Sequence, residues 1–181
     1  EAFRISGDLT FSLGGLDGFR LQTLHVNGFS IFGLGATISS TAASLRPLTV
    51  DLANPYAGQV LDRAELNAHG YLDVTFDSPN PAGLDAGSIL DEAPEFTLTL
   101  NGAPAPGITV NGRPTQPGDL AGTNTYRYSF TGNFTQDGEV AVQFAAQSWQ
   151  DRSATPVVNF ASTRTFQVVT KAANGTLPPP A

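Results

Sequence analysis

Tyr71-Leu72-Asp73-Val74-Thr75-Phe76 sets the period of this chain. Leu72, Val74 and Phe76 alternate with Tyr71, Asp73 and Thr75, as in a strand with one face in a core and the other toward water. The same period returns downstream. Phe96, Leu98 and Leu100 alternate with threonines; Tyr126, Tyr128 and Phe130 follow, then Val140, Val142 and Phe144, then Phe166 and Val168. Ile108 and Val110 make a shorter piece. Between the pieces stand Asn101-Gly102, Asn111-Gly112, Gly118, Gly132-Asn133 and Asp137-Gly138. Asn-Gly and Asp-Gly tolerate the positive φ values of tight hairpins. Helical periodicity is nearly absent, and Pro81 to Asp91 alone offers room for a helical turn, kept short by two glycines. The pattern predicts an all-β sandwich or barrel.

The chain has 181 residues, 40% of them hydrophobic and 14% charged, which suits one ordinary domain with or without an appendage. Nine basic residues against 16 acidic ones leave a net charge of −7. That balance argues against nucleic acid and anionic membrane as partners, because phosphate binding needs clustered Lys and Arg. There is no Cys, so disulfides, thiolate nucleophiles and cysteine zinc sites are excluded. No apolar run reaches the roughly 20 residues that a membrane-spanning helix needs. Glu1 at the start and Leu177-Pro178-Pro179-Pro180-Ala181 at the end are expected of a piece of a longer protein, with residues 171–181 a Pro-rich linker or tail.

Composition shifts near Ala42 to Arg46. Residues 1–43 hold few charges and many glycines, and Gly14-Gly15, Asp17-Gly18 and Asn27-Gly28 divide them into short apolar pieces. The reading is an N-terminal Gly-rich β-strand appendage. Below about 40 residues a segment rarely closes a core unaided, so this one completes a sheet of the main domain or pairs with a neighbouring copy through exposed strand edges.

From Leu48 onward the order of the pieces resembles the bacterial immunoglobulin-like (Big-type) repeats of large surface and secreted adhesin-like proteins. The carriers are Pro47 to Leu52, Tyr71 to Phe76, the connector Gly83 to Asp91, Pro94 to Leu98, Thr125 to Phe130, Gly138 to Phe144, and Trp149-Gln150-Asp151 followed by Ser162 to Val169. Asp151-Arg152-Ser153-Ala154 lacks the Gly-Asn that many members carry after an Asp there. The resemblance covers roughly residues 44–170. It implies an Ig-like antiparallel β-sandwich in a multidomain protein, extracellular or on the bacterial cell surface. The module would be non-catalytic and structural or adhesive, with neighbouring repeats or copies of itself as partners.

Candidate sites are few. Gly28-Phe29-Ser30-Ile31-Phe32-Gly33 misses the Gly-x-Ser-x-Gly elbow by one residue and lies in an apolar strand, and His25 and His69 sit in separate segments, so no serine hydrolase is expected. Asp91, Glu92 and Glu95 cluster at a loop-to-strand junction. Ca²⁺ is the ion such loops would favour, since it takes several hard oxygens, and Asp85, Asp91 and Glu92 form the candidate group. Asp62, Asp119 and Asp151 are further loop acids that could meet at one end of a sandwich. Trp149, the single Trp, is the candidate platform for a sugar ring in an alternative reading, a carbohydrate-binding module. Counted in register from Val140, Val142 and Phe144 it points outward, unless a bulge after Ala145 turns it into the core; against the sugar platform stands a core or inter-segment Trp, since one large aromatic commonly anchors packing. Arg127, between two inward tyrosines, is expected to project outward toward surface acids.

Overall fold

The structure, a computed structural model, describes residues 47–178. The appendage expected over 1–43 and the last prolines of the tail lie outside these residues. The described chain runs β1 (Thr49–Asn54), β2 (Val60–Asp62), α1 (Arg63–His69), β3 (Tyr71–Asp77), β4 (Phe96–Leu100), β5 (Ala103–Pro104), β6 (Thr109–Val110), β7 (Thr125–Thr131), β8 (Gly138–Phe144) and β9 (Ser162–Val169). Two sheets result, in the orders β1-β3-β7-β6 and β2-β9-β8-β4-β5. β2 and β9 run parallel; the other named pairs are antiparallel. The architecture is all-β, as the alternation predicts.

Register explains why the apolar sets meet. Val50 lies opposite Phe76 and Leu52 opposite Val74, while Leu72 and Val74 face Tyr128 and Tyr126. In the other sheet Phe96, Leu98 and Leu100 face Phe144, Val142 and Val140. These side chains are buried in one cluster contributed by both sheets. Phe76 is its hub, with its ring edge-on to Trp149 at 4.9 Å and to Phe144 at 6.5 Å. Burying one such ring contributes about 1.5–3 kcal/mol. The Asn101-Gly102 hairpin joins β4 to β5 with φ of 52° and 79°, the left-handed pair that its sequence predicts. A 3-10 turn at Ala86–Ser88 falls inside the Pro81–Asp91 stretch.

Helix α1 corrects the expectation that helix is confined to that stretch. Asp62 caps it by accepting from the Ala64 N–H, and Gly70, at φ 66°, ends it with its N–H on the Leu66 carbonyl. Leu66 is its one buried residue. Seven residues with a single core contact carry no 3.6 period, so apolar spacing is silent here. Tertiary bonds hold the helix instead: the Asn67 amide donates to the Phe134 carbonyl at 3.0 Å and accepts from the Phe134 N–H at 2.8 Å.

Arg127 projects from the outer face of β7, as the alternation predicts, but its main partner is more than a surface acid. It donates from Nε and Nη2 to both oxygens of Asp73, at 2.7 and 2.8 Å, and Asp73 is only 4% exposed. Its guanidinium lies 3.9 Å from the centre of the Tyr71 ring, and Asp119 accepts a further bond at 3.1 Å. Arg127→Ala strands the Asp73 carboxylate. It is expected to cost about 2–3 kcal/mol by urea denaturation, the loss for charge-assisted bonds. Arg127→Lys should recover only part of this, because an ammonium cannot supply the planar fork.

Candidate functional site

The sequence places its candidate metal ligands together, and the structure does not. Asp85 caps the start of the 3-10 turn, accepting from the Gly87 N–H at 3.1 Å, and takes the Gln150 amide on its other oxygen. Asp91 accepts from the Ala93 N–H at 2.8 Å, and Glu92 is exposed. Two of these carboxylates thus serve local turns. Among the described residues no group of three or more His, Asp or Glu side chains is arranged to hold a metal ion. The second set is likewise dispersed. Asp62 caps α1, Asp119 pairs with Arg127, and Asp151 is buried. Burial opposes ionisation of Asp151, but bonds from Ser153, Val157 and Asn80 outweigh it and hold the carboxyl below its usual range.

Trp149 is a core residue, 1% exposed, packed edge-on against Phe76 and Phe144. No face of its ring is open to a sugar. The outward register does not apply because β8 ends at Phe144 and the chain then turns. Asn159 fixes that turn: its Oδ1 accepts from the Ser148 and Trp149 N–H groups, and its Nδ2 donates to the Ala145 carbonyl. The carbohydrate-binding reading is therefore without support from Trp149.

A different place has the properties of a site. Where β4 of one sheet and β6 of the other lie at the open side of the fold, a cleft of about 270 Å³ runs between them. Phe96, Leu98, Ile108 and Val110 give it apolar walls, and the buried residues Glu95 and Tyr128 form its base. Glu95 immediately precedes β4 and is 1% exposed. Its Oε2 accepts from the Tyr128 hydroxyl at 2.8 Å, while its Oε1 has no hydrogen-bond partner. Burial pushes the Glu95 carboxyl up from 4.5 to about 7, against the pull of the Tyr128 bond and its own backbone N–H, and Asp91 adds to the rise. Burial, together with the Glu95 carboxyl, likewise raises the Tyr128 hydroxyl, so it stays protonated and donates.

Gly112 closes the rim. A Cβ there would stand 2.8 Å from the Glu92 carbonyl oxygen, so the two loops approach as closely as they do only because the side chain is missing. Gly112→Ala is expected to part these loops and let water reach Glu95. The carboxyl should then titrate below 7, toward the ordinary glutamate value, followed by the ¹³C shift of its carboxyl carbon. An unchanged titration would place the opening elsewhere.

Chemically, the cleft has apolar walls, and the Glu95 carboxyl that lines it is sealed from solvent with one oxygen lacking a hydrogen-bond partner. Glu95 is legible in the sequence as one of three clustered acids, but nothing there separates it from Asp91 and Glu92. Its neighbours across the fold, Tyr128 and the β6 residues, make the difference. Comparison of the chain with family models, curated proteins and solved structures found no match.

Proposed function

We propose that the described residues form an Ig-like sandwich that serves as a non-catalytic structural and adhesive module of a large extracellular bacterial repeat protein. Strand order supports the fold assignment. β1-β3-β7-β6 follows the A-B-E-D order of one immunoglobulin sheet, and β4-β8-β9 follows the C-F-G order of the other, with β2 and β5 as added edges. The buried Trp on strand C and the inter-sheet disulfide of antibody domains have no counterpart here.

The observation that carries the role is the path of the chain. Thr49 opens β1 opposite Asp77, beside the end at which Phe76 meets Phe144. Val169 closes β9 opposite Asp62, and Val168 lies opposite Gly138, at the far end of β8. The chain therefore enters one pole and leaves the other, about 24 Å away for a seven-residue strand. Such units join in line. Pulling on the two ends loads the parallel β2–β9 ladder in shear, so its bonds must break together.

Edge-to-edge assembly has little purchase on most of this unit. β2, β5 and β6, edge strands of the two sheets, are 3, 2 and 2 residues long, which leaves few free backbone groups for a foreign strand. Among the described edge strands, β1, with six residues, is the longest one left for pairing between copies. Two copies of the full chain fused in tandem test the role. X-ray scattering should give an elongated particle whose longest dimension exceeds that of one copy by at least the length of the sandwich. A compact, folded-back pair would sink the in-line reading.

A further inference from the structure

We propose that Asp51 and Arg164 latch one side of the sandwich against strand addition, and that releasing the latch lets a second copy of this chain pair antiparallel along β1.

β1 ends one sheet, and among the described residues β3 is the only strand beside it. Its backbone groups alternate between β3 and the outside. The Phe76 N–H donates to the Asn124 carbonyl and the Phe130 N–H to that of Gly70. Even-numbered residues from Gly70 to Phe76 thus bond toward β7, and the odd-numbered ones toward β1. Thr49 and Asp51, opposite Asp77 and Thr75, turn their N–H and C=O groups to β3, while Val50 and Leu52 turn theirs outward. β9 has a similar open stretch. β2 pairs with it only from Gln167 to Val169, and the Gly58 N–H takes the Thr165 carbonyl. Thr163, two positions earlier, therefore faces the same way, with no strand beside it among the described residues.

One side chain per strand closes these edges. The Asp51 carboxylate accepts from the outward Leu52 N–H at 2.9 Å, and the Arg164 guanidinium donates to the outward Thr163 carbonyl at 3.0 Å. The two side chains then meet, Arg164 Nε on the same Asp51 Oδ1 at 3.2 Å, across 113 positions of sequence. A free donor has received an anion and a free acceptor a cation, and the ion pair holds both in place. With the Asp51 side chain 66% exposed, the pair adds little to stability. Its effect falls on association, because an open edge is a template for a foreign strand.

Symmetry names the partner. A two-fold axis at Asp51 sets Val50 of one copy against Leu52 of the other, so the outward N–H and C=O groups of both residues pair in both directions. Position 51 then lies opposite itself in a non-hydrogen-bonded pair, with Cα atoms about 4.5 Å apart. Two aspartates there repel, and each already occupies a Leu52 N–H that the other copy needs.

The full 181-residue chain and its Asp51→Thr/Arg164→Thr variant would be compared by light scattering over a concentration series. Exchange of the Val50 amide hydrogen, followed by NMR, reports β1 itself. Thr suits a strand, and both replaced side chains reach solvent, so the two proteins should melt together at low concentration. The variant should reach about twice the parent's mass at the same concentration. Its Val50 exchange should slow about tenfold or more as concentration rises, and the parent's should not. Asp51→Cys alone, in a chain without Cys, gives a second readout and serves if the double variant fails to fold. Mild oxidation should link two copies through position 51. A double variant of parental mass, or a Cys variant that stays unlinked, overturns the proposal. So does a dimer whose Val50 exchange ignores concentration, which places the contact away from β1, or equal slowing in the parent, which shows the edge already open.

Discussion

Glu95→Gln is expected to abolish the fall in stability between pH 4.5 and pH 7 that burial of this carboxyl implies for the parent protein. The folded carboxyl titrates near 7, whereas in the unfolded chain it titrates near 4.5. Within that window the folded state holds the extra proton, so raising the pH favours unfolding. The stability is complete below 4.5 and lost as pH passes through 7. A shift of about 2.5 pH units corresponds to roughly 3 kcal/mol. Glutamine keeps the shape and accepts from the Tyr128 hydroxyl, so the variant should lack this slope and gain on the parent by about that amount at pH 8. Asp137 and Asp151 act in the opposite sense and elsewhere on the scale. Their carboxyls are held below the aspartate value of 3.8, and the stability they contribute fades only as pH falls through that acid range. Urea denaturation of both proteins from pH 5 to pH 8 measures the difference. Parallel curves would show that Glu95 is hydrated and ordinary, and would remove the physical basis of the cleft as a site.

Trp149→Ala should cost about 3–5 kcal/mol, the range for deleting a large buried aromatic. The indole fills the space between Phe76 and Phe144 near the pole where the chain enters, and its removal leaves a void under both rings. Trp149→Phe should cost less, because phenylalanine keeps much of the packing and removes an indole N–H that is buried without an acceptor. The measurement is thermal or urea unfolding of each variant. In the parent, the emission of this single Trp should be blue-shifted and shielded from aqueous quenchers until the fold melts. Ready quenching in the native state would place the ring at the surface and restore the sugar-platform reading.

The layout of strands was open to inspection in the residues themselves. Leu72, Val74 and Phe76, and the matching sets in β4, β7, β8 and β9, repeat every second position because each strand has one dry face, and that is a local property of the chain. The Asn101-Gly102 hairpin was equally readable, since its left-handed φ values are a demand on two adjacent residues. Features that depend on distant partners escaped. α1 has one core contact and is held by Phe134, which lies 67 positions from Asn67. Trp149 turns inward because Asn159 fixes the loop around it, and no alternation rule reaches past the end of a strand. Asp85, Asp91 and Glu92 look like a metal set in line, yet Asp85 and Asp91 are taken up by neighbouring backbone N–H groups.

Glu95 marks the boundary most clearly. Sequence alone makes it one of three clustered acids before a strand. Packing sets it apart: Tyr128, 33 positions away, meets one of its oxygens, and the edge of the opposite sheet covers it. Periodicity along a chain records which way a side chain faces. Which groups it meets, and therefore its pKa and its chemistry, depends on contacts between segments that only folding brings together.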